Sequence, residues 1–157
     1  MLLLSGCSGS TPSGNWREFK SEKCRFSAQF PGDVNEEEVG TDSQFQAASD
    51  GANFRITCEQ VTPLAEKGAL REFRAMCDGV AKSLDASVEE TRNSKVQGQP
   101  AFEFKLSFHL AGANMVSHTR YVRCQSRLYQ QIVTAPAGAS DDQDVRKFFK
   151  SFKLETE

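Results

Sequence analysis

Residues 101–110 alternate without interruption. Phe102, Phe104, Leu106, Phe108 and Leu110 fall on one face, and Glu103, Lys105, Ser107 and His109 on the other. A period of two is the signature of a β-strand with one dry face and one wet face. The chain must therefore build a sheet and cover the aromatic side of this strand. Residues 127–135 tighten the constraint. Leu128 and Ile132 point one way, Tyr129 and Val133 the other. A strand that is apolar on both faces belongs near the middle of a sheet covered on both sides.

The covering elements are legible as two helices. Thr62 is a candidate cap and Pro63 suits a first helical turn. Leu70, Phe73, Cys77, Val80 and Leu84 then recur at three- and four-residue steps, which predicts one apolar stripe on a helix running to about Leu84. Gly68 weakens the first turn, so the regular helix is expected to start just after it. The second helix opens on the capping box Ser140-Asp141-Asp142-Gln143 and carries Val145, Phe148, Phe149 and Phe152.

Further strands follow from alternation and turn chemistry. Trp16 and Phe19 open the folded part as a short packed segment. Cys24–Phe30 alternates and stops at Pro31-Gly32; the acidic stretch Asp33–Asp42 reads as a loop. Ser43–Ser49 and Ala52–Glu59 flank Asp50-Gly51, a dipeptide suited to a tight hairpin turn. Ala86–Lys95, a turn at Gln97-Gly98-Gln99-Pro100, and Met115–Cys124 complete the set. With 157 residues and no internal repeat, the expectation is a single α+β domain. Net charge is −2, from 19 basic and 21 acidic residues, without the positive footprint of a nucleic-acid binder. The acid cluster near Glu36, Glu37 and Glu38 and the base cluster at Arg146, Lys147, Lys150 and Lys153 read as solvated faces.

The N-terminus speaks to location. Leu4-Ser5-Gly6-Cys7 has the form of a bacterial lipobox, and Ser8–Asn15 is a Ser/Gly/Pro-rich tether. A working secretion signal needs a positive segment and a longer apolar run than Met1–Leu4, so the true start is expected upstream. Residues 1–6 read as the remnant of a lipoprotein signal peptide, 7–15 as a lipidated cysteine with its tether, and 16–157 as one globular domain. The resemblance to bacterial lipoproteins implies a diacylglycerol thioether on Cys7 and acylation, for example with palmitate, of the new amine. One acyl chain binds a bilayer marginally, whereas two or three hold it nearly permanently. The expected location is the cell envelope, on the extracytoplasmic side of a membrane (the periplasmic face in a diderm).

Four cysteines remain: Cys24, Cys58, Cys77 and Cys124. In an oxidising compartment they are candidate disulfide partners, with three connectivities open; as free thiols they would serve as small buried hydrophobes. Their spacings contain no C-x-x-C, which argues against a zinc site or a thioredoxin-like redox centre.

Across residues 26–154 the chain resembles the Mog1/PsbP-like superfamily and its small bacterial lipoproteins. The carrying residues are Arg25–Gly32, which ends in Phe30-Pro31; Val96-Gln97-Gly98-Gln99-Pro100-Ala101; Leu128-Tyr129-Gln130-Gln131-Ile132; and Phe148-Phe149-Lys150-Ser151-Phe152-Lys153-Leu154. The resemblance implies an α/β/α sandwich around an antiparallel sheet of about six to seven strands. It implies binding and accessory roles, and no reaction.

Catalytic signatures are scarce. There is no G-x-S-x-G, no P-loop and no dinucleotide fingerprint. Cys124 is the one candidate for a partly exposed nucleophilic thiol. With Gly112-Ala113 as a hairpin tip, His109 would face Val116 and His118 would face Ser107. The two histidines would then be diagonal neighbours beside Glu103, Lys105 and Arg120. Only Glu103 could add a third metal ligand, so no metal and no cofactor is expected. The sequence favours a non-enzymatic, lipid-anchored binding or accessory protein whose partner is an envelope protein, polymer or lipid. Two alternatives stand beside it: an envelope enzyme with an unrecognised site, marked by a pocket gathering His109, His118 or Cys124, and a carrier of a small hydrophobic ligand, marked by an apolar cavity between helix and sheet.

Overall fold

The alternating segment forms a strand in the computed structural model, which describes residues 15–139 and 142–155. In chain order the elements are β1 (Trp16–Ser21), β2 (Phe26–Pro31), β3 (Asn35–Val39), β4 (Asp42–Ser49), β5 (Ala52–Gln60), α1 (Glu66–Ser83), β6 (Ser87–Val96), β7 (Gln99–Leu110), β8 (Ala113–Cys124), β9 (Arg127–Pro136), α2 (Asp142–Ser151) and β10 (Lys153–Leu154). Seven strands make one sheet in the order β3-β4-β5-β9-β8-β7-β6, and every pairing is antiparallel. The doubly apolar β9 is its central strand, as its residues require. A three-stranded sheet, β1-β2-β10, lies beside it. No helix among the described residues is long and apolar enough to cross a membrane.

The large sheet has two separate cores. On one face, Phe73 and Cys77 of α1 join Phe102, Phe104, Leu106, Tyr121 and Leu128. On the other, the small sheet and α2 cover β4, β5 and β9, with Phe26, Phe30, Phe45, Phe54, Tyr129 and Phe148 at the centre. Phe148 joins α2 to both sheets through edge-to-face contacts with Phe30 and Phe54, each at 5.3 Å. The two covers are offset, so neither face of the large sheet is covered along its whole width.

Several sequence expectations change. Asp33–Asp42 contains a strand: β3 pairs residue by residue with β4 at the sheet edge. All five of its residues are exposed, so no hydrophobic alternation marked it, and its three glutamates suit an unpaired edge that must resist further pairing. The α1 stripe is rotated. Ala69, Phe73, Cys77 and Ala81 are buried, whereas Val80 and Leu84 are more than a third exposed. The two alanines let the helix lie close to the phenylalanine rings of β7. Helix α1 begins at Glu66, ahead of Gly68, with Ala65 at the cap and no side chain bonding the first amides. Thr62 supplies a carbonyl instead, accepting from Arg123 Nη1 at 2.7 Å. Arg123, buried in β8, also grips Glu72 of α1 with Nε at 2.6 Å and Nη2 at 2.9 Å. The capping box lies partly outside the described residues.

The tip of the β7–β8 hairpin is Ala111-Gly112, with φ of 51° and 79°. Both values are left-handed, as a two-residue primed turn demands. Leu110 then pairs with Ala113, His109 with Asn114 and His118 with Lys105. The expected tip at Gly112-Ala113 is thus one residue off, and it moves every partner on β8 by two. Asp50-Gly51 makes the β4–β5 turn as expected, with φ of 51° and 81°.

Candidate functional site: a charged cleft beside helix α2

The offset between the two covers leaves the α2-side face of β6, β7 and β8 open. A cleft of about 1010 Å³ lies there, walled by α2. Its floor follows from register. Arg92, Glu103, Arg120 and Gln131 pair successively across β6, β7, β8 and β9, so four polar side chains stand in one cross-strand row. Arg92 Nε donates to Glu103 Oε2 at 3.0 Å. Arg120 Nη1 stands 3.8 Å from Glu103 Oε1, and its Nε donates to Gln131 Oε1 at 2.7 Å. A second row holds Glu90, Lys105 and His118. Glu89 sits at a register shift in β6, which turns its carboxylate onto the same face, where it meets Lys105 at 3.4 Å and accepts from Ser107.

Arg120 ties the row to the wall. Its Nη2 donates to the Phe149 carbonyl at 2.6 Å, in the last turn of α2, where the helix dipole favours a cation. The guanidinium lies 5.1 Å from the Phe149 ring and 5.8 Å from the Phe152 ring. Arg120 is 8 % exposed; burial pulls its pKa down to about 10, against the pull of Glu103, so it stays charged at neutral pH. His118 is half-buried, and desolvation first, then Lys105, hold its pKa below the usual histidine value. It is therefore mainly neutral at pH 7. The lining carries six basic and four acidic side chains, a local +2 in a chain of net −2.

The sequence correctly places Glu103, Lys105, His118 and Arg120 on one face. It does not bring the histidines together. The diagonal neighbours of His118 on β7 are Glu103 and Ser107, and His109 lies a further pair along, exposed near the hairpin tip. No group of three His, Cys, Asp or Glu residues among those described is placed to hold a metal. Arg146 and Lys150 line the cleft, while Lys147 turns away, with its ammonium 4.8 Å from the Trp16 ring. Arg92 and Asp142 also belong to the cleft; only the register of β6 and the seating of α2 reveal it.

The other expected site residues lie elsewhere. Cys7 falls outside the described residues. Cys24, Cys58, Cys77 and Cys124 are thiols here. Cys24 and Cys58 meet in the core under the small sheet, Cys77 lies in the α1 core, and Cys124 is half-buried at the end of β8. Where a hydrophobic carrier would keep a cavity between α1 and the sheet, the Phe73 ring lies 5.8 Å from Tyr121, and Tyr121 lies 5.2 Å from Phe104.

No protein-family model matches the chain, and no curated protein does. Solved structures do. A protein of Bacteroides thetaiotaomicron VPI-5482 superposes with a TM-score of 0.61 at 22% identity, over 92% of this chain and 50% of its own. The present chain thus spans about half the length of that protein. Cyanobacterial PsbP (CyanoP) of Synechocystis sp. PCC 6803 superposes with a TM-score of 0.57 at 13% identity, over 96% of this chain and 98% of its own. A protein of unknown function from Pseudomonas aeruginosa gives 0.51 at 11% identity, over 80% and 86%. The fold is α+β and PsbP-like, as the sequence motifs imply.

Proposed function

We propose that this protein is a lipid-anchored, non-catalytic binding or accessory module of the cell envelope, and that it engages its partner through the cleft beside α2. One observation carries the reading. The cleft is broad and open, and its lining is charged of both signs, so it suits a polar protein segment or polymer better than a small apolar ligand. Half of its charges are committed to one another, through Arg92, Glu103, Arg120, Glu89 and Lys105. Such a surface is pre-organised for recognition. Among the described residues His118 makes no hydrogen bond to a serine, threonine or cysteine, so it forms no base–nucleophile pair with a side chain. Placement in the envelope rests on Leu4-Ser5-Gly6-Cys7 and the tether behind it.

Two measurements test this. The intact mass of protein extracted from membranes should lack residues 1–6 and carry acyl chains; an unmodified N-terminus beginning at Met1 would sink the anchor. A photoreactive side chain at Glu90, in the cleft, should crosslink a partner in living cells, while one at Gln44, on the opposite face of the sheet, should not. Crosslinking that is equal from both positions, or that survives Lys105→Glu with Arg146→Glu unchanged, would remove the cleft from the reading.

A further inference from the structure

Cys24 lies in the turn between β1 and β2, and Cys58 lies in β5. The first belongs to the small sheet and the second to the large one. Both are buried, at 3% and 6% exposure, in the same core. Tyr129, paired with Cys58 across β5 and β9, donates its hydroxyl to the Cys24 carbonyl at 2.6 Å, which fixes the turn over Cys58. The backbone of Cys24 is held a second time by Ser21 Oγ at 3.1 Å. Within this frame the two thiols are close neighbours in one core.

The other cysteines are poorly placed to pair with Cys58. Cys77 lies on α1, across the sheet. Cys124 is two strands from Cys58, and its β9 partner is Arg127, two residues from Tyr129. Two strand spacings alone separate their backbones by roughly 10 Å, beyond the reach of a disulfide.

We propose that Cys24 and Cys58 are a disulfide-forming pair that staples the small sheet to the large one. While the β1–β2 turn is still open in the folding chain, the Cys24 thiolate attacks an external disulfide, such as oxidised glutathione or a disulfide of an oxidase. One sulfur leaves as a thiolate and takes a proton, and a mixed disulfide forms on Cys24. Cys58 then loses its proton to solvent and attacks the Cys24 sulfur, and the second external thiol departs. Two protein thiols are oxidised and one external disulfide is reduced to two thiols. Occurrence of the bond in the cell rests on the proposed extracytoplasmic location; the pairing itself does not.

The test uses the full wild-type chain. After refolding from the reduced, denatured state in oxidised glutathione and blocking of free thiols, peptide mapping should show Cys24 joined to Cys58, two hydrogens lighter, with Cys77 and Cys124 alkylated. The oxidised form should melt roughly 10 °C above the reduced form. A bond from Cys24 to Cys124, no bond at all, or no rise in melting temperature would overturn the proposal. Acid trapping of thiols in cells then separates the two ideas. An oxidised pair supports both. A pair that forms in solution but is reduced in cells leaves the pairing standing and overturns the location.

Discussion

Strand β7 presents two opposite environments one residue apart. Phe102, Phe104 and Leu106 are nearly inaccessible beneath α1, while Glu103 and Lys105 stand in charged rows that open on solvent. The same backbone serves both. What differs is the cover: α1 lies over β7 on one side, and α2 lies to the side of it on the other. The contrast teaches where stability and recognition are separated in this molecule. The aromatic face should be intolerant of change, the rim of the cleft tolerant, and the cleft floor in between, because Arg120 is both buried and charged.

Phe104→Ala should break the comparison most strongly. It removes a ring packed on Tyr121 and Phe102 and should cost about 3–5 kcal/mol in urea unfolding. A loss under 1 kcal/mol would mean the α1 core is not as packed as described. Arg120→Met comes next. It strands Gln131 Oε1, takes one of two donors from the Phe149 carbonyl and one of two arginines from Glu103, and should cost about 2–3 kcal/mol while α2 loosens, read by hydrogen exchange at Phe148–Phe152. A neutral outcome would turn the floor into ordinary rim. Lys105→Ala should change stability by less than about 0.5 kcal/mol, because its pair with Glu89 is partly exposed, yet it should weaken the crosslink from Glu90.

The smallest effect concerns pH. His118 binds a proton less readily in the folded chain than in the unfolded one, where its value is near 6.5. The unfolded state therefore takes up more protons, and stability falls as pH drops from about 6.5 through the lower folded value. Below that value the loss is complete. His118→Gln should flatten this part of the profile; an unaltered slope between pH 7 and pH 5 would show that His118 is as solvated as a free histidine.

How much of this was legible varies with the kind of signal. Strand β7, the hairpin at Asp50-Gly51 and the central position of β9 follow from periods and turn residues that act locally. Strand β3 was not legible, because an exposed edge strand needs no apolar face; only β4 beside it makes Asn35–Val39 extended. The α1 stripe was mistaken because Val80 and Leu84 are more apolar than Ala69 and Ala81, whereas the packing distance to phenylalanine rings selects the smaller side chains. Of the cleft, the face shared by Glu103, Lys105, His118 and Arg120 could be read off. Its extension to Arg92 and Glu89 depended on register, and a one-residue error at the Ala111-Gly112 tip was enough to pair the wrong histidine neighbours.

The order of hydrophobic and polar residues along the chain thus determined by itself that this protein is a sheet with a central doubly covered strand and two amphipathic helices. Those are short-range properties, set by the geometry of a strand and of a helix turn. Only the tertiary structure decided that the two covers are offset, that a charged cleft opens beside α2, and that Cys24 meets Cys58. Each of those depends on how elements distant in sequence dock, and docking is set by side-chain volume and by where buried charges such as Arg120 and Arg123 find their partners.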